Sequence, residues 1–155
     1  MYDFKQDPEH EGEFSFILPG CYGAPGGVRV RVNRLVPSDL SMQESADVAV
    51  RAFQLVCLAS DVARGRLSGR SLDRNVTEKG ISRLEFMAKL LRLSRKDSPL
   101  HGNLPPVPLY LYGTVLNPDH FDACAGLTIG KEIYQSSIVL RRWGSRWVCT
   151  FLDFG

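Results

Sequence analysis

The stretch between Ser41 and Gly65 constrains this chain more than any other. Ser41-Met42-Gln43-Glu44 is a capping box, in which hydroxyl and carboxylate satisfy each other's orphan backbone donors at a helix start. Beyond it, Val48, Val50, Phe53, Leu55, Val56, Leu58 and Val62 occupy nearly every face, and Asp47, Arg51, Gln54 and Asp61 leave only a narrow polar stripe. A helix that is apolar almost all round belongs inside a protein. The pattern predicts a central core helix over about 42–64, ending before Gly65, which other elements must cover. It is not a simple membrane span, because Asp47, Arg51 and Asp61 interrupt its best apolar window, Ala46 to Ala63.

Strands are read on either side. Glu13 to Leu18 alternates and is stopped by Pro19-Gly20, and Val28, Val30 and Val32 alternate with Arg29, Arg31 and Asn33. That period of two marks half-buried strands, joined by the turn-rich loop from Pro19 to Gly27. A second helix is expected from about Glu78 to Lys96, with Ile81, Leu84, Ala88 and Leu91 on one face and Phe86, Leu90 and Leu93 widening it. Three more strands follow: Leu109–Tyr112, Ser137–Arg142 and Arg146–Leu152. The last two flank a Trp143-Gly144-Ser145 turn, where Gly144 supplies the positive φ of a tight hairpin. Between them, Asn117-Pro118-Asp119 reads as a turn leading into an irregular segment or a short helix. The predicted class is α+β, an antiparallel sheet with two main helices in the order β-β-α-α-β-β-β. Residues 1–12 read as an acidic flexible arm, and 13–155 as a single domain, the default for 155 residues.

The net charge of +2 conceals a gradient. Residues 1–15 carry five acidic side chains against Lys5, whereas residues 64–96 carry ten basic against three acidic, a net of +7. Arg64, Arg66, Arg70 and Arg74 fall on a predicted loop, and Arg83, Arg92, Arg95 and Lys96 on the second helix. Such a set suits an anionic partner, nucleic acid or acidic lipid, and equally a solvated face. A second candidate surface is Arg141, Arg142, Trp143 and Arg146 around the last hairpin, with Trp147 turned inward. The run Pro105-Pro106-Val107-Pro108-Leu109-Tyr110 contains a minimal P-x-x-P. Pro105, Pro106, Pro108 and Tyr110 are thus a candidate peptide-like motif, or a stiff entry into a strand.

Catalytic and metal signals are sparse. The cysteines Cys21, Cys57, Cys124 and Cys149 lack paired spacing, and Cys57 and Cys149 sit in apolar runs that suit a core. His120, Asp122 and Cys124 form the nearest approach to a reactive cluster, since on a helix His120 and Cys124 would share a face. His10 and His101 fall in predicted loops. The glycine-rich loop 20–27 lacks the Gly-Lys-Ser/Thr ending of a phosphate loop. The expectation is therefore a non-enzymatic protein without cofactor or metal, in an intracellular, cytoplasmic setting, with neither signal peptide nor transmembrane helix.

Three stretches carry a family resemblance: Ser45-Ala46-Asp47-Val48-Ala49-Val50, Pro118-Asp119-His120-Phe121 and Arg146-Trp147-Val148-Cys149. With the early strand pair, they resemble the core domain of rhabdovirus matrix proteins. The resemblance implies a structural protein that self-associates, contacts acidic membrane or ribonucleoprotein, and resides at a membrane periphery or in a virion. The acidic N-terminus here differs from that family's basic arm with its Pro-Pro-x-Tyr motif. Two other classes stay open: a protein-binding adaptor or inhibitor acting on a host or partner protein, and a small thiol enzyme using His120 and Cys124.

Overall fold

In the computed structural model, which describes residues 2–19, 26–36, 39–93 and 104–155, the chain is α+β. The elements are β1 (Lys5–Gln6), β2 (Glu13–Leu18), β3 (Val28–Arg34), α1 (Met42–Ala63), α2 (Glu78–Arg92), β4 (Val107–Asn117), β5 (His120–Ile129), β6 (Glu132–Trp143) and β7 (Arg146–Phe154). A short 3-10 helix at Gly69–Leu72 lies between the two helices.

The seven strands form one sheet in sequence order. Every neighbouring pair is antiparallel except β3 and β4, which run parallel from Arg29↔Tyr110 to Arg34↔Val115. Parallel neighbours need a long crossover, and here both helices supply it. The expected sheet was wholly antiparallel, so this pair is a correction. It joins residues about eighty apart, a separation that no local pattern encodes.

The helices cover one face of the sheet. Alternate residues point at them: Phe14, Phe16, Val28, Val30, Val32, Leu111, Val115, Phe121, Ala125, Leu127, Ile138, Leu140 and Leu152 are all buried. Helix α1 is the core element that its sequence demands. Ser41 Oγ accepts the Glu44 N–H at 3.0 Å, and the Glu44 carboxylate accepts the Ser41 N–H at 2.9 Å. That second bond is the main reason the Glu44 carboxyl titrates below the ordinary range. Among the described residues, no helix is long and apolar enough to cross a membrane.

The N-terminal stretch is bound to the domain, not a loose arm. Lys5 and Gln6 pair with Ser15 and Phe14, and the Tyr2 ring lies 4.7 Å from that of Phe16. At the opposite edge, the Cys149 backbone N–H donates to Asn75 O at 2.7 Å and its carbonyl accepts from the Thr77 N–H at 2.9 Å. This short bridge covers part of the edge of β7, where open backbone groups would invite pairing.

The segment after Pro118 is also corrected. It forms β5, a ten-residue strand whose buried apolar side chains, Phe121, Ala123, Ala125, Leu127 and Ile129, sit at alternate positions. The observed order therefore has two strands more than expected, β1 and β5.

Candidate functional site

Helix α2 has two apolar faces. Gly80, Leu84 and Ala88 are buried, with Ile81 and Leu91 packed beside them. Phe86, Leu90 and Leu93, expected to widen that face, instead lie on the opposite side at relative exposures of 61%, 51% and 85%. Their i, i+4, i+7 spacing makes one stripe along the helix. Exposed Lys79 and Arg83 border one end, and exposed Lys89 and Arg92 the other. Sequence reasoning missed this stripe. Its signal was there: the apolar residues of 81–93 span too wide an arc to face one core.

The basic residues sort into separate groups. Arg64 and Arg66 lie beside α2. The Arg64 side chain is fully covered, donates to Leu104 O at 2.6 Å and sits 3.7 Å from Asp61. Burial lowers its guanidinium pKa, and Arg66 lies 3.8 Å from the same Asp61 carboxylate. With Lys89 and Arg92 they line a cleft of about 520 Å³ between the end of α1 and α2. Arg95 and Lys96 lie outside the described residues.

The other arginines do not converge there. Arg70 and Arg74 are exposed on the connection between the helices. Arg83 pairs with Asp153 at 3.6 Å and lies 4.9 Å over the Phe151 ring. Arg146 donates to Arg74 O across the sheet edge. Arg142 donates to Gly144 O at 3.2 Å and lines a small hollow with Glu44 and Trp147, on the helix side of the sheet. Trp143 is 57% exposed, while Trp147 packs against the core. The hairpin set is thus split between both faces of the sheet.

Arg141 donates to His120 Nδ1, and His120 Nε2 lies 2.7 Å from Asp122 Oδ1. Because arginine only donates, Nδ1 accepts, and the ring proton sits on Nε2, facing Asp122. His120, Asp122 and Cys124 occupy alternate positions of one strand. His120 and Cys124 are therefore separated by roughly 13 Å along β5, too far for a base to deprotonate the thiol. The helical juxtaposition expected for them is a correction.

Pro108 is buried within β4, and the Tyr110 hydroxyl accepts from Gln135 at 3.3 Å. The proline motif is thereby half absorbed into the sheet. Pro105 and Pro106 line an apolar groove with Cys57 and Leu58. His10 sits in the β1–β2 turn, 3.2 Å from Asp7 and 3.9 Å from Glu13. Hydrogen bonds from the Glu9 N–H and from His10 hold the Asp7 carboxyl below its usual range. These three side chains have metal-ligand types at close quarters, but Glu13 already pairs with Arg31 at 3.2 Å. The trio reads as a salt-bridged turn. His101, Cys21 and the glycine loop through residue 25 fall outside the described residues.

No protein-family model, no curated protein and no solved structure matches the chain.

Proposed function

We propose that this chain is a non-enzymatic assembly protein that docks on an anionic membrane surface through α2. The observation that carries the reading is the stripe Phe86, Leu90 and Leu93, exposed to water and bordered by Lys79, Arg83, Lys89 and Arg92. A helix with large apolar residues on one side and cations at its flanks lies in the headgroup plane, apolar side down.

Magnitudes favour this combination over either part alone. Moving each stripe residue out of water contributes roughly 1–2 kcal/mol at their observed exposures. Three such residues give only weak, reversible binding. Each flanking cation adds about 1 kcal/mol near an acidic leaflet and nothing near a neutral one. Binding therefore requires acidic lipid. The assembly side of the reading, self-association and contact with ribonucleoprotein, rests on the resemblance to rhabdovirus matrix proteins and on the exposed arginines.

The test is flotation with vesicles of phosphatidylcholine alone or with phosphatidylserine, comparing the native chain with Phe86→Ser/Leu90→Ser/Leu93→Ser. The native protein is expected to float only with the acidic vesicles, and the triple variant to bind at least tenfold more weakly with an unchanged thermal midpoint. Equal binding by the triple variant, or no binding at low salt, would overturn the proposal. Copy-to-copy association through the stripe without lipid would instead assign it to an interface.

A further inference from the structure

The cleft beside the stripe has a chemistry that membrane docking alone does not require. One wall is the end of α1 and the loop after it, with Arg64, Arg66 and Ser68; the other is α2, with Glu85, Lys89 and Arg92. Four cations meet two carboxylates, Asp61 and Glu85. Asp61 serves the first wall, lying 3.7 Å from Arg64 and 3.8 Å from Arg66. Glu85 lies against Gly69, at the start of the 3-10 helix, where a Cβ would stand 2.6 Å from its Oε1, and both residues line the cleft. Lys89 and Arg92 form no ion pair among the described residues. The four cations and two carboxylates together carry a net charge of +2, with Arg66, Lys89 and Arg92 the cations that are exposed.

From this we infer that the cleft is a headgroup site for a lipid carrying a terminal phosphomonoester. The assignment rests on the membrane reading and deepens it. A phosphomonoester carries between one and two negative charges and three acceptor oxygens near neutral pH, whereas a phosphodiester headgroup offers a single charge. The Arg66 fork on one wall, and the Arg92 fork with the Lys89 ammonium on the other, match the first kind of anion better. The volume of about 520 Å³ is that of a small-ligand site. The lipid source, as opposed to a soluble phosphate, follows from position. Lys89 lines the cleft and Leu93 lies on the stripe, four residues apart, so they are neighbours on the helix surface. A helix resting on the stripe would hold the cleft mouth at headgroup level.

The experiment uses vesicles containing phosphatidylserine or phosphatidic acid, matched in zeta potential, with the native chain, Arg66→Gln/Arg92→Gln and, separately, Lys89→Gln. The native protein is expected to bind phosphatidic acid about tenfold tighter at equal surface charge, on the scale of one charge-assisted hydrogen bond. Either variant should weaken phosphatidylserine binding as well, by about 1 kcal/mol for each flanking cation lost, so the readout is the ratio of the two affinities, which should fall most of the way to one. Glycerol 3-phosphate at millimolar concentration should compete away the preference alone. Equal affinity of the native chain for the two vesicles, or a preference that survives Arg66→Gln/Arg92→Gln, overturns the headgroup site and leaves membrane docking standing. Binding to neither vesicle overturns both. Glycerol 3-phosphate bound as tightly as the vesicles would assign the cleft to a soluble ligand and overturn the lipid assignment.

Discussion

Gly113 lies beneath the ring of Phe121: a Cβ built at Gly113 would stand 2.3 Å from Phe121 Cζ. Phe121 is fully buried, on the helix-facing side of β5, and its cross-strand partner Val115 is buried too. The ring has no room to retreat, because packed interiors respond to an added methyl by straining side chains and backbone. Gly113→Ala is expected to cost about 1–3 kcal/mol. It should lower the midpoint of urea unfolding without changing the slope, the signature of a pure stability loss. An unchanged midpoint would mean that the contact is looser than this geometry.

The mirror relationship stands on the other face. A Cβ at Gly126 would lie 2.5 Å from Tyr110 Cε1. Tyr110 stacks on Tyr112 at 4.8 Å, but both rings are on the open face of the sheet, and Tyr110 is only half-buried. Its ring has space to swing outward. Gly126→Ala should therefore cost less than Gly113→Ala, about 1 kcal/mol or under, and should change the tyrosine near-ultraviolet circular dichroism. Equal losses at the two glycines would contradict the assignment of inner and outer faces.

The capped helix and the β2–β3 and β6–β7 hairpins were legible because their signals are local. Ser41 and Glu44 are three residues apart, Val28 to Val32 alternate, and Gly144 adopts the positive φ of 64° that its turn demands. Strand β5 was hidden by its own composition. Its inward positions include two alanines, and the i, i+4 pair His120 and Cys124 imitates a helical face. The parallel β3–β4 pairing depends on chain segments separated by both helices, so no short window contains it. The candidate site was half legible. Charge density between residues 64 and 96 pointed to the right region, but hydrophobicity alone does not tell a buried leucine from an exposed one. Leu84 and Leu90 differ only in which side of α2 they occupy.

Cys149 and Cys124 should differ sharply toward alkylating reagents. Cys124 is exposed on the open face of the sheet, whereas Cys149 is fully buried and its thiol donates to Phe151 O at 3.2 Å. Burial pushes the Cys149 pKa up to about 12 from an ordinary 9.0. Between those values the unfolded chain releases a proton that the folded chain keeps, so this thiol's contribution to stability is full below pH 9 and declines as pH rises toward 12. Cys149→Ala should be less stable than the native chain at pH 8, by about 1–2 kcal/mol for the lost sulfur contacts. That gap should narrow in alkaline urea melts. A gap constant from pH 8 to 11 would show that the thiol is not desolvated.

Arg34 is a cation held in the core. It is 7% exposed, donates to Leu40 O at 3.0 Å and lies 5.4 Å over the Phe14 ring. Burial lowers its pKa, yet an arginine keeps its charge under all working conditions. The planar guanidinium suits both contacts at once, which a lysine ammonium does not. Arg34→Lys is expected to destabilise by about 1–3 kcal/mol despite keeping the charge, because a buried acceptor loses its donor. Thermal melts of Arg34→Lys beside Arg31→Lys, an exposed control on the same strand, would measure it; equal shifts would refute a core role for Arg34.

Salt offers a way to separate the two parts of α2. Charges at its flanks act through a screened field whose reach is about 10 Å at 0.1 M salt and about 3 Å at 1 M, whereas apolar insertion is not screened. Lys79→Gln/Lys89→Gln should therefore weaken binding to phosphatidylserine vesicles by roughly tenfold or more at low salt, taking about 1 kcal/mol for each lost cation, and have little effect at high salt. Leu90→Ser/Leu93→Ser should weaken it by a similar factor at both. Flotation isotherms of the two variants at two ionic strengths give four numbers, and their pattern identifies the mode of attachment. If both variants lose binding only at low salt, the leucines do not enter the lipid, and attachment is electrostatic alone. If both lose it equally at every salt concentration, the lysines act through packing and the helix face is a protein contact.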